Sequence, residues 1–205
     1  MATILITGFG PFPGVRFNPT GPLAVELARN GHPAFAGVRR LAHVFHVSYE
    51  AIDRELPALL ERERPDAMVM FGLAVRSKHV RIEMCAHNTL APALPDAAGR
   101  VPVGTAIVPG GPTIVRLHTP AQRLLLAART AGVPAVLSRD AGRYLCNYLC
   151  WRAAEAATSG APRLTAFIHV PALRRTQAPS RRPALTLDDL ARAGEAIVRA
   201  ALAAR

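Results

Sequence analysis

Short apolar runs of strand character alternate with stretches of helical character along almost the whole chain, and this alternation restricts the fold to the α/β class. Ala2 to Thr7 is a β-branched run that closes on Gly8, and a helix follows over Gly21 to Asn30 through Leu23, Val25 and Leu27. Val38 to Val47 reads as the next strand. Ser48 is placed to cap a helix running to about Glu63, with Pro57 an irregularity inside it. Ala67 to Phe71 is apolar throughout and so belongs at the centre of the sheet, while His79 to Cys85 alternates and reads as a fourth, more exposed strand. From Asn88 to Pro112 the chain is dominated by Pro, Gly and Ala, which predicts a long ordered loop or lid with one short strand pair. A helix over Pro120 to Thr130, a strand over Val133 to Ser138, a helix over Gly142 to Ala157 and a strand over Leu164 to Val170 follow. Arg174 to Pro183 is an Arg/Pro-rich loop, and Thr186 with Asp189 opens the last helix in the manner of a capping box. No internal repeat or dividing linker interrupts the 205 residues, so a single domain over 1–205 is expected.

Half of the residues are apolar, enough to bury a full core and to exclude disorder. The longest apolar runs fall far short of the ~20 residues that span a bilayer. Met1 leads directly into Ile4-Leu5-Ile6 without a basic region or a small-residue cleavage site, so the cytoplasm is the expected compartment. The excess of 25 Lys plus Arg over 14 Asp plus Glu raises nucleic acid as a partner. Only Lys78 is a lysine, however, and the arginines are scattered along the chain with abundant Ala and Pro, so no nucleic-acid partner is expected. The odd number of cysteines, Cys85, Cys146 and Cys150, argues against a disulfide framework and lacks the paired spacing of a structural zinc site. His43 and His46 stand an odd number of residues apart on a strand-like run, hence on opposite faces, and no metal or other cofactor is expected.

Cys146 follows an apolar strand and lies within the first turns of a helix, where backbone N–H groups favour a thiolate and can stabilise a developing oxyanion. Taken alone, it is also compatible with a small buried hydrophobe, and for Cys150 one turn later that reading leads. His169 follows Ala166-Phe167-Ile168 at the end of a strand, the edge of an α/β sheet where sites gather, and a histidine within reach of Cys146 would activate it. Glu83, a carboxylate inside the apolar run Val80 to Cys85, needs a partner if it points inward. It is a candidate to orient the imidazole, or it is an edge-strand glutamate paired with Arg81. The loop Thr7-Gly8-Phe9-Gly10-Pro11-Phe12-Pro13-Gly14 is no phosphate loop, because it lacks Gly-Lys-Ser/Thr and carries two phenylalanines. Phe9 and Phe12 suit either an apolar slot for a small flat group or a cover for the sheet end.

These segments together resemble the pyroglutamyl peptidases of type I, the pyrrolidone-carboxylate peptidases, over essentially the whole chain. The resemblance is carried by residues 7–12 with Asn18-Pro19-Thr20, by Glu83 to Asn88, by Ser138 to Asn147 and by Phe167 to Pro171 with Gln177. It implies an α/β/α sandwich around a central, mostly parallel twisted sheet, and a homo-oligomer of four or two copies. It implies a thiol peptidase that removes an amino-terminal pyroglutamyl residue through a thioester, with Glu83, Cys146 and His169 catalytic and no metal. Phe9 and Phe12 would hold the lactam ring, Asn18 would order their loop, and Leu73 would stand beside the ring. The blocked amino terminus of such a peptide carries no charge to grip, so an apolar clamp suits it. Leu73 and Ala93 stand where the family usually has a glutamine and an arginine, and Arg139, Asp140 and Arg143 replace small or polar residues ahead of Cys146. A relative with an altered small-amide substrate or much reduced activity is the alternative these departures leave open.

Overall fold

The computed structural model describes residues 1–173 and 185–204. The expected loop over Arg174 to Pro183, with Gln177, lies outside the described residues apart from its flanks. A central sheet takes β1 (Ala2–Phe9), β2 (Val38–Phe45), β3 (Ala67–Ala74), β4 (Val80–Glu83), β7 (Ala135–Ser138) and β8 (Leu164–Pro171) in the order β2-β1-β3-β8-β4-β7. Every pairing is parallel except β4 with β8, so β4 and β7 run against the rest. A separate antiparallel pair, β5 (Cys85–His87) with β6 (Ile114–Arg116), stands beyond the sheet.

Strand alternation divides the core into two layers. Ile4, Ile6, Val69, Phe71, Val80, Ile82 and Ile168 point to one face, where they pack on α1 (Thr20–Arg29), α3 (Ala121–Thr130) and α5 (Leu187–Leu202) through Leu23, Leu27, Leu124, Leu190 and Ile197. Leu5, Met68, Met70 and Phe167 point to the other, against α2 (Tyr49–Glu63) and α4 (Leu145–Thr158) through Ile52, Leu56, Leu149 and Trp151. The result is the α/β/α sandwich with a mostly parallel sheet that the sequence leads one to expect. The caps act as read: Ser48 Oγ accepts from Ala51 N–H at the start of α2, and Thr186 and Asp189 form a reciprocal capping box on α5.

Three expectations are corrected. The strand His79 to Cys85 is neither continuous nor exposed. It breaks at Met84, where β4 leaves the sheet and β5 turns to pair with β6. Val80, Ile82 and Glu83 are all buried, because β8 and β7 flank β4 on both sides and α3 packs against Val80 and Ile82. The helix expected from Gly142 starts at Leu145, since Gly142 has φ +83°, outside the helical region. The short strand pair anticipated within 88–112 instead brackets that segment as β5 and β6.

Candidate active site

On β4 and β8 the residues that alternate away from the α1/α3/α5 core are Arg81 and Glu83, and Phe167 and His169. All four therefore face α4. The antiparallel register sets Arg81 opposite His169 and Glu83 opposite Phe167. Glu83 is wholly buried, His169 is 5% exposed, and the His169 Nδ1–Glu83 Oε1 distance is 2.8 Å. Cys146 and His169 line the same cavity, and the Cys146 sulfur is among the groups that act on the imidazole. Of the sequence-derived residues, the structure thus brings Glu83, His169 and Cys146 together, drawn from β4, β8 and the first turn of α4. Burial alone would push the imidazole towards its neutral form. The sulfur of Cys146 and the carboxylate of Glu83 outweigh it and raise the His169 pKa to about 9.

Cys146 is the second residue of α4, whose first-turn N–H groups have no side-chain cap from Tyr144. Its sulfur lies over β3 at Gly72, the register partner of His169. A Cβ built on Gly72 would fall 2.9 Å from Cys146 Sγ and 2.6 Å from Phe167 Cζ, so only glycine leaves the Cys146 sulfur its place. The segment delivering the cysteine is tied down locally: Gly142 N–H donates to Asp140 Oδ1, Asp140 N–H donates to Ser138 Oγ, and Tyr144 Oη donates to the Pro95 carbonyl. Asn147, fully buried, bonds both the N–H and the carbonyl of His87 and the Thr89 carbonyl, which fixes α4 against β5 and the following loop.

Cys146 and His169 open into a cavity of about 420 Å³ whose wall includes Leu73, Arg76, Arg81, Asp140, Arg143 and Tyr144. Leu73 therefore shares a cavity with Cys146 and His169. Phe9 is 3% exposed, against Phe45 in the α2/α4 core, and Phe12 packs on the edge of the same core. Asn18 is buried and ties its loop: its side chain donates to the Gly10 carbonyl and accepts from Thr20 N–H and Thr20 Oγ1. Among the described residues, Phe9 and Asn18 line a different concavity, with Phe17, Pro22 and Val44. Ala93 is exposed in the turn that Leu94 N–H closes on the Ala91 carbonyl, away from the cavity wall.

The other two thiols differ in kind. Cys150 is fully buried and burial pushes its thiol well up; Cys85 is raised by burial and donates to the Arg139 carbonyl at 3.3 Å. The sequence singles out no role for Gly72, and it offers Arg81 as a partner for Glu83 or, with Arg76 and Arg143, as a nearby source of positive charge. Strand alternation carries the signal for Arg81, since it stands two residues before Glu83 and must share its face.

A family model described as pyroglutamyl peptidase matches residues 2–204. The pyrrolidone-carboxylate peptidase of Clavibacter michiganensis is 33% identical over 204 residues, covering 99% of this chain and 94% of that protein. The enzyme of the same name from Pyrococcus furiosus is 35% identical over 171 residues, 82% of this chain and 80% of its own length. Among solved structures, pyrrolidone carboxyl peptidase from Thermococcus litoralis superposes with a TM-score of 0.88 at 28% identity, covering 99% of this chain and 94% of that one. Pyroglutamyl peptidase I of Bacillus amyloliquefaciens gives 0.86 at 26% identity, over 99% and 98%. A match that runs from one end of the chain to the other, in sequence and in fold alike, makes this protein a member of the pyroglutamyl peptidase family.

Proposed function

We propose that the protein is a cysteine exopeptidase that removes an amino-terminal pyroglutamyl residue from peptides. The observation that carries this reading is the buried Glu83–His169 pair, whose histidine lines one cavity with Cys146, in a member of this family. The Cys146 thiolate attacks the pyroglutamyl carbonyl, forming a C–S bond. His169, holding the thiol proton, passes it to the amine as the C–N bond breaks. Water then attacks the thioester, gives its proton to His169, and expels the thiolate. Glu83 keeps the imidazole in the orientation that allows both transfers. The first-turn N–H groups of α4 are the nearest source of oxyanion stabilisation. Leu73 supplies an apolar surface to the lactam, while Asn18 orders the loop that carries Phe9 and Phe12, which stand outside this cavity's wall.

Residues 1–205 act in this reading as one catalytic domain, in an assembly of two or four copies, in the cytoplasm and without a metal. Among the described residues no helix is long and apolar enough to cross a membrane. The test is turnover of a pyroglutamyl chromogenic amide beside the prolyl amide of the same leaving group. Cleavage of the first alone, undiminished by EDTA, is expected. Equal cleavage of both would remove the substrate assignment, and loss on chelation with rescue by zinc would remove the thiol mechanism.

A further inference from the structure

Arg81 belongs to the wall of the cavity, yet its guanidinium is spent on the protein and not on open space. Nε and Nη2 donate to Ser138 Oγ at 3.2 and 2.7 Å, Nη2 also donates to the Asp140 carbonyl, and Nη2 lies 3.1 Å from Glu83 Oε1. Those acceptors come from β4, the end of β7 and the turn that runs into α4. Glu83 Oε1 is thus shared between His169 Nδ1 and the guanidinium, while Oε2 is buried with no hydrogen-bond partner among the described residues. The orientation of this carboxylate rests on one oxygen, hydrogen-bonded to His169 and ion-paired with Arg81. Removing it leaves a wholly buried carboxylate with a single partner and frees the turn ahead of the nucleophile.

Resting on the Cys–His–Glu reading above, we propose that Arg81 is a positioning residue: its guanidinium clamps Glu83 to the Ser138–Asp140 turn, holding the carboxylate that orients His169 and the turn that delivers Cys146 in one register. A planar fork with several donors reaches three acceptors at once, which a lysine ammonium on the same strand cannot do. Since the clamp acts on the relation between groups and not on the substrate, its loss falls on kcat and leaves KM.

The experiment compares Arg81→Met, Arg81→Lys and Ser138→Ala in the full chain, reading kcat and KM on a pyroglutamyl chromogenic amide and the rate of Cys146 alkylation by iodoacetamide. A small displacement of reacting groups can cost about a hundredfold, so Arg81→Met is expected to lose about 10- to 100-fold in kcat with KM within about twofold. Arg81→Lys should recover part of that loss, Ser138→Ala should show a smaller loss with the same split, and alkylation should slow in the same order. Wild-type kcat and alkylation rate in Arg81→Met would overturn the proposal, and so would a rise in KM with kcat unchanged, which would make Arg81 a substrate contact. Should Arg81→Met fail to fold, wild-type kcat in both Arg81→Lys and Ser138→Ala would overturn it equally. A parent that does not cleave the pyroglutamyl amide, but whose Cys146 alkylation still slows in the Arg81 variants, would remove the substrate reading and leave the clamp standing.

Discussion

His169 sits under opposing influences, and which one wins decides the pH behaviour of the site. Burial favours the neutral ring, while the Cys146 sulfur and the Glu83 carboxylate favour the imidazolium and prevail, raising its pKa to about 9 from an ordinary 6.5. The proton that the leaving amine needs is therefore present at neutral pH and is lost as pH rises through the raised value. The expected kcat/KM profile falls on its alkaline side near pH 9; a fall centred near 6.5 would show that the two partners do not hold the proton. Substitutions separate the roles further. His169→Ala should remove at least about a thousandfold of turnover, because it deletes the group that moves the proton, while Glu83→Gln should be milder, because it removes only an orienter. Kinetics of the two variants beside their circular dichroism checks this, and equal losses in folded proteins would show that Glu83 does more than orient. Cys146 and His169 were legible in the sequence because each stands at the edge of an apolar run where an α/β sheet presents its sites. Phe9 was legible only as one of two readings, since a phenylalanine at a strand end covers a core as readily as it lines a slot.

The elements meet at the site because two strands pass unusually close to what covers them. Gly8 on β1 lies so near the first turn of α1 that a Cβ there would fall 2.1 Å from the Thr20 carbonyl oxygen, and Gly72 on β3 does the same service for Cys146 and Phe167. Gly72→Ala is therefore expected to cost about 1–3 kcal/mol of stability from overpacking, and to lower turnover further than that loss explains by displacing Sγ. Denaturant unfolding beside steady-state kinetics measures both, and wild-type values in both would show that the sheet gives way freely. Helices were the more legible elements. Ser48 and the Thr186–Asp189 pair announce α2 and α5 through chemistry that acts within a few residues. The burial of β4 was not legible in the same way. Arg81 and Glu83 look like a solvated face until β8, from more than eighty residues away, supplies the histidine that Glu83 meets. The break at Met84 likewise depends on pairing with β6, some thirty residues on.

At the scale of the molecule, one sheet with a helical layer on each face brings a carboxylate, a thiol and an imidazole from three separated segments to a single edge of the α2/α4 layer. The chain also carries a formal net charge of +11, and Arg76 and Arg143 against Asp140 repeat that excess at the cavity wall. A field of that sign draws anionic substrates, and salt screens it over about 10 Å at 0.1 M. For a pyroglutamyl peptide with an acidic second residue, KM should rise several-fold from low salt to about 0.5 M, while a peptide with a neutral second residue stays nearly level; identical salt responses would show that the arginines do not reach the substrate. The alternation of strands and helices made the α/β class readable, and the resemblance to the family supplied the sandwich. The order of the strands, with β4 and β7 reversed, is set by long-range packing that periodicity does not encode. The claim on which everything else depends is that this fold makes Cys146 the nucleophile. Acid-quenching the enzyme during turnover of a pyroglutamyl amide, and mapping the adduct by mass spectrometry, addresses it directly. A pyroglutamyl thioester on Cys146, absent from Cys146→Ala together with turnover, is the predicted result, and undiminished turnover in Cys146→Ala would contradict it.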